Sequence, residues 1–230
     1  MGVLDTFGSP GTRLLLAVAA PAEFRAVARG LGRPDTKMPE RWQFVTIGRT
    51  DVLCTGVSKS NAAAAVAIAA RSGTHAAVLS IGIGGAYDPA LAPIGSLVLG
   101  TRSVFVDEGA ATPQGFIGCA ELGFPVSSAT DVVIADPRLH NLLGPLCSAS
   151  GPITTVSTCS GTDELARAYA ARGEAIAEGM EGAAVGLAAA GVGIPFAEVR
   201  AISNTTGDRS RQVWDIPRAL EALCGLVGRL

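Results

Sequence analysis

At 230 residues, with 48% hydrophobic and 17% charged side chains, the chain can bury one sizeable core, and no Pro-, Gly- or Ser-rich stretch divides it in two. A net charge of −2, with arginines scattered along the chain, leaves no basic stripe for a nucleic-acid backbone and excludes nucleic acid as a partner. Cys54, Cys119, Cys147, Cys159 and Cys224 form no Cys-x-x-Cys pair and stand apart from His75 and His140, so neither a metal site nor a disulfide framework is expected.

Taken in chain order, residues 1–12 read as a flexible N-terminal extension to a single domain. Residues 13–22 open with an arginine, followed by a short apolar run and small residues, a pattern shared with secretory leaders. Asp5 upstream and the shortness of the run favour instead a buried strand at 14–19 that enters a helix at 21–31. Further strands are predicted at 44–47, 52–55, 76–80, 96–99, 153–157, 175–179 and 196–202, and helices at 61–71, 137–146, 163–171, 182–191 and 217–230. The segments 76–80 and 196–202 are apolar with little alternation, as strands are when helices cover both faces of their sheet. The expected fold class is therefore α/β, a helix-sheet-helix sandwich around a mixed central sheet. No run approaches the roughly 18 apolar residues of a membrane span, and a soluble, cytoplasmic protein without a membrane partner is expected.

In open α/β sheets ligands gather beyond the carboxyl ends of the strands. Glu23, Gly82, Met180, Glu181 and Asn204 all fall at such ends. Gly82-Ile83-Gly84-Gly85 reads as a loop in which a backbone without Cβ atoms can pass close to a ligand, although a tight turn without one has the same pattern. It is not a dinucleotide fingerprint, because Tyr87 takes the sixth position and the following residues, 88–93, are turn-like and open no helix. Taken alone, Glu181 is accounted for as a negative charge at the start of the helix 182–191, and Asn204 as a strand-ending turn. Asp215, two residues before Pro217, reads as a helix cap, with Trp214 sealing the loop before it.

Read together, Ala177-Glu178-Gly179-Met180-Glu181-Gly182-Ala183-Ala184 and Glu198-Val199-Arg200-Ala201-Ile202-Ser203-Asn204 resemble the purine nucleoside phosphorylase and nucleosidase superfamily. The run 205–217, with Trp214-Asp215-Ile216 near its end, resembles one branch in particular, the futalosine hydrolases, which cleave a hypoxanthine nucleoside in menaquinone biosynthesis. The resemblance extends from about Leu14 to the C-terminus. It implies a nucleoside phosphorylase-like fold, a small-molecule nucleoside as substrate, no cofactor, and a homodimer or higher homo-oligomer with the site near a subunit interface. It assigns Glu23 to the activation of water, Gly82, Gly84 and Gly85 to a loop under the ribose, Met180 and Glu181 to the ribose itself, Asn204 to the base, and Ser203 to substrate binding beside it.

Adenine-specific members of that superfamily have an aspartate in the place of Asn204. An amide can donate to N7 and O6 of a 6-oxopurine but cannot protonate N7, so solvent or a carboxylate such as Asp208 is expected to complete that proton transfer. By the same resemblance, residues 105–109 and 115–117 are expected to reach a neighbouring subunit, and the 5′-substituent, an aromatic carboxylate in futalosine, calls for an apolar wall with a cation or hydroxyl donors. Three alternatives stand beside this reading. One is a phosphorylase of inosine or guanosine, with Arg25 and Arg102 as candidate anion ligands. Another is a methylthioadenosine or S-adenosylhomocysteine nucleosidase, and the last a nucleoside-binding protein without catalysis. Ile83 in the glycine-rich segment, and a carboxylate at Glu23 that would repel phosphate, favour water as the nucleophile.

Overall fold

The computed structural model describes residues 3–7 and 11–230. Within the stretch expected as an extension, Val3–Phe7 forms a short helix, α1, whose Val3 is buried in the core; residues 1, 2 and 8–10 lie outside the described residues. The strands are β1 (Arg13–Val18), β2 (Phe44–Ile47), β3 (Thr50–Cys54), β4 (His75–Ala86), β5 (Leu97–Phe105), β6 (Gly109–Thr112), β7 (Gly115–Gly118), β8 (Val132–Ile134), β9 (Ala149–Thr155), β10 (Ala177–Gly179) and β11 (Phe196–Thr205). The further helices are α2 (Pro21–Gly30), α3 (Lys59–Ala70), α4 (Pro137–Leu143), α5 (Asp163–Gly173), α6 (Gly182–Val192) and α7 (Ile216–Val227). None of these helices is long and apolar enough to cross a membrane.

Side chains alternate across a strand, and β1, which is apolar at every position after Arg13, shows what that means here. Leu14, Leu16 and Val18 pack with Phe24 and Val27 of α2 and Leu223 and Leu226 of α7. On the other face Leu15 and Ala17 pack with Ala62 and Val66 of α3 and Ala183 and Ala184 of α6. Burying each of these leucines contributes about 1.5–3 kcal/mol, and only a sheet covered on both faces can use them all. The helix-sheet-helix sandwich follows from that pattern.

The main sheet runs β10-β9-β5-β11-β4-β1-β3-β2, with β8 on β5. It is mixed: β1 lies parallel to β3 and β4, and β4 to β11, whereas β2 and β5 run antiparallel to β3 and β11. β4 does not stop at Ser80. It continues through Gly82-Ile83-Gly84-Gly85 to Ala86, paired with β11 throughout and with β10 at Gly85 and Ala86. The segment expected as a loop is thus strand, because glycines inside a strand let other chains approach closely, and β10 crosses here. Because β10 also pairs with β9, the strands β4, β11, β5, β9 and β10 close into a small ring. The hairpin β6–β7 lies off the sheet, and Phe116 in it packs under the guanidinium of Arg172, 3.9 Å from the ring centre.

One irregularity positions the site. The register of β11 against β4 slips between Ile202 and Asn204, with Ser203 as the extra residue. Such a bulge bends the strand and re-aims the side chain that follows.

Candidate active site

A cavity of about 230 Å³ opens where β1 meets α2, beside the distal end of β4 and beyond β10 and β11. Glu23, Gly84, Gly85, Met180, Glu181, Ser203 and Asn204, brought from four different strand ends, all line it. Gly82, expected with them, does not. A Cβ at Gly82 would stand 2.5 Å from Glu23 Oε1 and 2.6 Å from Arg200 Nη1, so this glycine makes room for those two side chains beneath the cavity.

Glu23 is the third residue of α2, a helix that Pro21 starts at the position where no N–H is needed. Its Oε2 accepts from the backbone N–H groups of Ala19 (2.9 Å) and Ala20 (2.8 Å), and its Oε1 from that of Ile83 (2.8 Å). A carboxylate offers about four lone-pair positions. Three are taken by the backbone, which leaves about one, on a side chain only 4% exposed, for a water in the cavity.

Glu181 occupies the N-cap position of α6, yet its side chain makes no capping bond. The carboxylate turns into the cavity instead, where Oε1 accepts from the Ser58 N–H (3.2 Å) and Oε2 lies 3.7 Å from Arg200 Nη1. Burial pushes the Glu181 carboxyl up to about 7; Arg200 opposes that rise, Glu23 adds to it, the Ser58 N–H opposes it and Glu198 adds again. Met180 packs its sulfur 3.5 Å from Cys159 Sγ on the same wall.

Arg200 and Glu198, buried in β11 and not among the candidates read from the sequence, lie beneath the cavity. Spaced two apart, they share one face of β11. Arg200, 1% exposed, donates from Nε to Glu198 Oε1 (2.7 Å) and from Nη2 to Ser80 Oγ (2.8 Å). Burial works against its charge, but Glu198, Glu181 and Glu23 outweigh that and hold its pKa above the ordinary value. Glu198 also accepts from the Ser103 hydroxyl, and a Cβ at Gly182 would collide with its carboxylate. One buried cation thus organises the carboxylates beneath the cavity.

At the other end, Asn204 Nδ2 donates to the carbonyl of Thr205 (2.9 Å), and Oδ1 accepts from Ser203 Oγ (2.7 Å). A carbonyl can only accept, so the NH2 end of the amide is fixed and its second hydrogen remains for a ligand. Glu178, also missed from sequence, lines the cavity nearby and accepts from Tyr87 Oη (3.0 Å), from the Ser160 hydroxyl and from the Ser160 N–H. At the mouth the Arg209 guanidinium stacks 4.6 Å from the centre of the Trp214 ring, and among the described residues it meets no carboxylate at ion-pair distance.

Three residues considered from the sequence stand elsewhere. Arg25 is exposed on α2, and Arg102 pairs with Glu174; neither lines the cavity. Asp208 lies outside it too, and hydrogen bonds from the Ser210 side chain and backbone hold its carboxyl below the usual range, the wrong direction for a proton donor. Asp215 does cap α7, accepting from the Arg218 N–H (3.0 Å). Among the described residues no group of three or more His, Cys, Asp or Glu is placed to hold a metal ion.

Two buried carboxylates, Glu23 and Glu181, and the Asn204 amide thus line one cavity. The phosphorylase superfamily model matches residues 16–230. The chain belongs to the phosphorylase superfamily. It is 36% identical over 233 residues to the futalosine hydrolase of Streptomyces coelicolor, covering 94% of each chain. It is 37% identical over 221 residues to that of Acidothermus cellulolyticus, covering 91% of this chain and 86% of the other. Within the superfamily it belongs with the futalosine hydrolases. The fold is shared with the 5'-methylthioadenosine/S-adenosylhomocysteine nucleosidase of Helicobacter pylori (TM-score 0.75, 17% identity, 96% of each chain). It is shared equally with that of Streptococcus pneumoniae (TM-score 0.73, 18% identity, 95% of this chain and 99% of the other).

Proposed function

We propose that the protein hydrolyses the N-glycosidic bond of futalosine, releasing hypoxanthine and dehypoxanthine futalosine in menaquinone biosynthesis. Glu23, through its remaining lone pair, holds and deprotonates the water that adds to C1′. Glu181 accepts from the ribose hydroxyls while Met180 packs on the sugar. As the bond to N9 lengthens, negative charge builds on the base, and the hydrogen that Asn204 Nδ2 does not give to Thr205 is donated to N7 to stabilise it. Solvent completes the protonation of the base, a role that Asp208 cannot fill from its position.

What carries this reading is the meeting of Glu23, Glu181 and Asn204 around one cavity, in a chain whose relatives at 36–37% identity are futalosine hydrolases. Water is favoured over phosphate because the Glu23 and Glu181 carboxylates line the sugar end, while the guanidinium that lines the cavity among the described residues, that of Arg209, stacks on Trp214. The apolar and cationic mouth made by Trp214 and Arg209 matches a 5′-arm that ends in an aromatic carboxylate. The reading includes a cytoplasmic homo-oligomer; Ile68 on α3 and Phe124, 58% and 78% exposed, are apolar surface that a second copy could cover.

The test is product analysis with futalosine and inosine, with and without phosphate. Hydrolysis gives free base at a rate indifferent to phosphate, whereas a phosphorylase needs it and yields a sugar 1-phosphate.

A further inference from the structure

We propose that Gln212 is a positioning residue that locks Arg209 and Trp214 into one rigid unit at the cavity mouth, so that an anionic 5′-arm meets a guanidinium already in place. This rests on the reading above that the arm lies in that mouth, and extends it to a residue with no assigned part.

The side-chain amide of Gln212 is saturated. An amide has two N–H donors and two acceptor lone pairs, and each has a partner. Nε2 donates to the carbonyls of Ser160 (2.9 Å) and Gly207 (2.9 Å), while Oε1 accepts from Arg209 Nη1 (3.1 Å) and Trp214 Nε1 (3.1 Å). The amide has one orientation only, because carbonyls accept and the guanidinium and indole N–H groups donate. Ser160 follows β9, whereas Gly207, Arg209 and Trp214 follow β11. One half-buried side chain therefore joins two separate segments, and Ser160, Arg209, Gln212 and Trp214 all line the cavity.

The backbone of this loop is fastened without Gln212. The Thr205 N–H donates to the Val213 carbonyl (3.1 Å), Asn204 bridges to Trp214, and the Asp163 carboxylate accepts from the Asp208 N–H (2.8 Å). What the backbone leaves open is the long side chain of Arg209. Arg211, two residues on, pairs with Asp163 and Asp208. Arg209 has no such carboxylate among the described residues and is held by Gln212 and by the face of Trp214. Its charge is oriented but not neutralised, and most of its five N–H donors stay open to a carboxylate. Ordering a long side chain at the moment of binding costs up to about tenfold in affinity. A mouth ordered beforehand by Gln212 avoids that loss.

The test is steady-state kinetics of the wild type, Gln212→Met and Arg209→Met on futalosine, its methyl ester and inosine. The ester removes the charge of the arm and inosine lacks the arm altogether. The wild type should prefer futalosine to its methyl ester by at least about tenfold in kcat/KM, as loss of a charge-assisted hydrogen bond implies, and Arg209→Met should abolish that preference. Gln212→Met, similar in length but without N–H donors, should lose most of it. Its KM for futalosine should rise about tenfold while kcat stays within about threefold, since the arm lies away from the breaking bond. Inosine should lose about threefold at most. A Gln212→Met protein that keeps the wild-type preference, or loses equally on all three substrates, would overturn the proposal and leave Gln212 as a fastener of the Ser160 segment. Should that variant not fold, Gln212→Glu replaces it: its carboxylate would pair with Arg209 and cancel the charge offered to the arm, so an unchanged preference overturns the proposal. A wild type that treats futalosine and its methyl ester alike overturns it without any variant. If the wild type binds futalosine in calorimetric titration but does not cleave it, the catalytic reading fails, and the same ratios taken from dissociation constants decide this one.

Discussion

Glu23 faces two demands at once, since the three backbone N–H groups it accepts fix the start of α2 to β4 while its last lone pair serves the reaction. Glu23→Gln would set an NH2 against one of those N–H donors. It should therefore lower turnover by roughly 10²- to 10⁴-fold, as loss of a general base does, and also destabilise the fold by about 1–3 kcal/mol. Turnover measured beside urea unfolding separates the two, and near-normal turnover in the variant would remove Glu23 from the mechanism. For Asn204→Asp the expected outcome is a shift toward adenine nucleosides, because the variant gains an acceptor and, when protonated, an N7 donor. Mismatches at one buried polar contact can reach about 10⁴ in kcat/KM, and paired 6-oxo and 6-amino substrates measure how much is recovered. Glu23, Glu181 and Asn204 were legible in the sequence because each follows an apolar run at a strand end. Arg200 and Glu178 were not, since what they touch depends on which strands become neighbours and no local pattern records that.

Among the elements, β4 departs furthest from its sequence pattern. The apolar run 76–80 predicts a short strand and a loop, but pairing with β11 and β10 carries the strand six residues further, to Ala86. Glycine-rich segments carry little strand propensity; tertiary contact overrides it here because Arg200 and Glu178 need the space. Gly82→Ala tests this. Its Cβ would press on both Glu23 and Arg200, and overpacking of this kind costs about 1–3 kcal/mol. A melting point unchanged in Gly82→Ala, with normal activity, would mean that the glycine serves no such close approach. The strands β6, β7 and β8 went unseen because they are three or four residues long and partly exposed. The helices came close to their predicted spans, since Pro21, Pro137 and Asp215 mark their starts and Gly193 ends α6 in a left-handed turn.

At the scale of the whole molecule, the buried carboxylates link stability to pH. Glu181 rises from 4.5 to about 7 on folding, so between those values the folded state holds a proton that the unfolded state has released. Its contribution is complete below about pH 4.5 and is lost as pH rises through about 7, a change on the order of 3 kcal/mol. Glu178, raised in the same direction, adds to that slope. Glu181→Gln should flatten the decline between pH 5 and 8 and leave the protein more stable than the wild type at pH 8, as urea unfolding at the two pH values would record. A wild-type slope that persists in the variant would place the linkage elsewhere. The same substitution should cost activity on a ribonucleoside and much less on its 2′-deoxy counterpart, because only the former offers the hydroxyl that Glu181 accepts. The most direct measurement is kcat/KM of the wild type for futalosine and for methylthioadenosine in phosphate-free buffer, following the released base by chromatography. Rapid release of hypoxanthine with adenine release lower by several orders of magnitude is the predicted result; comparable release of adenine, or no release of either base until phosphate is added, would contradict it.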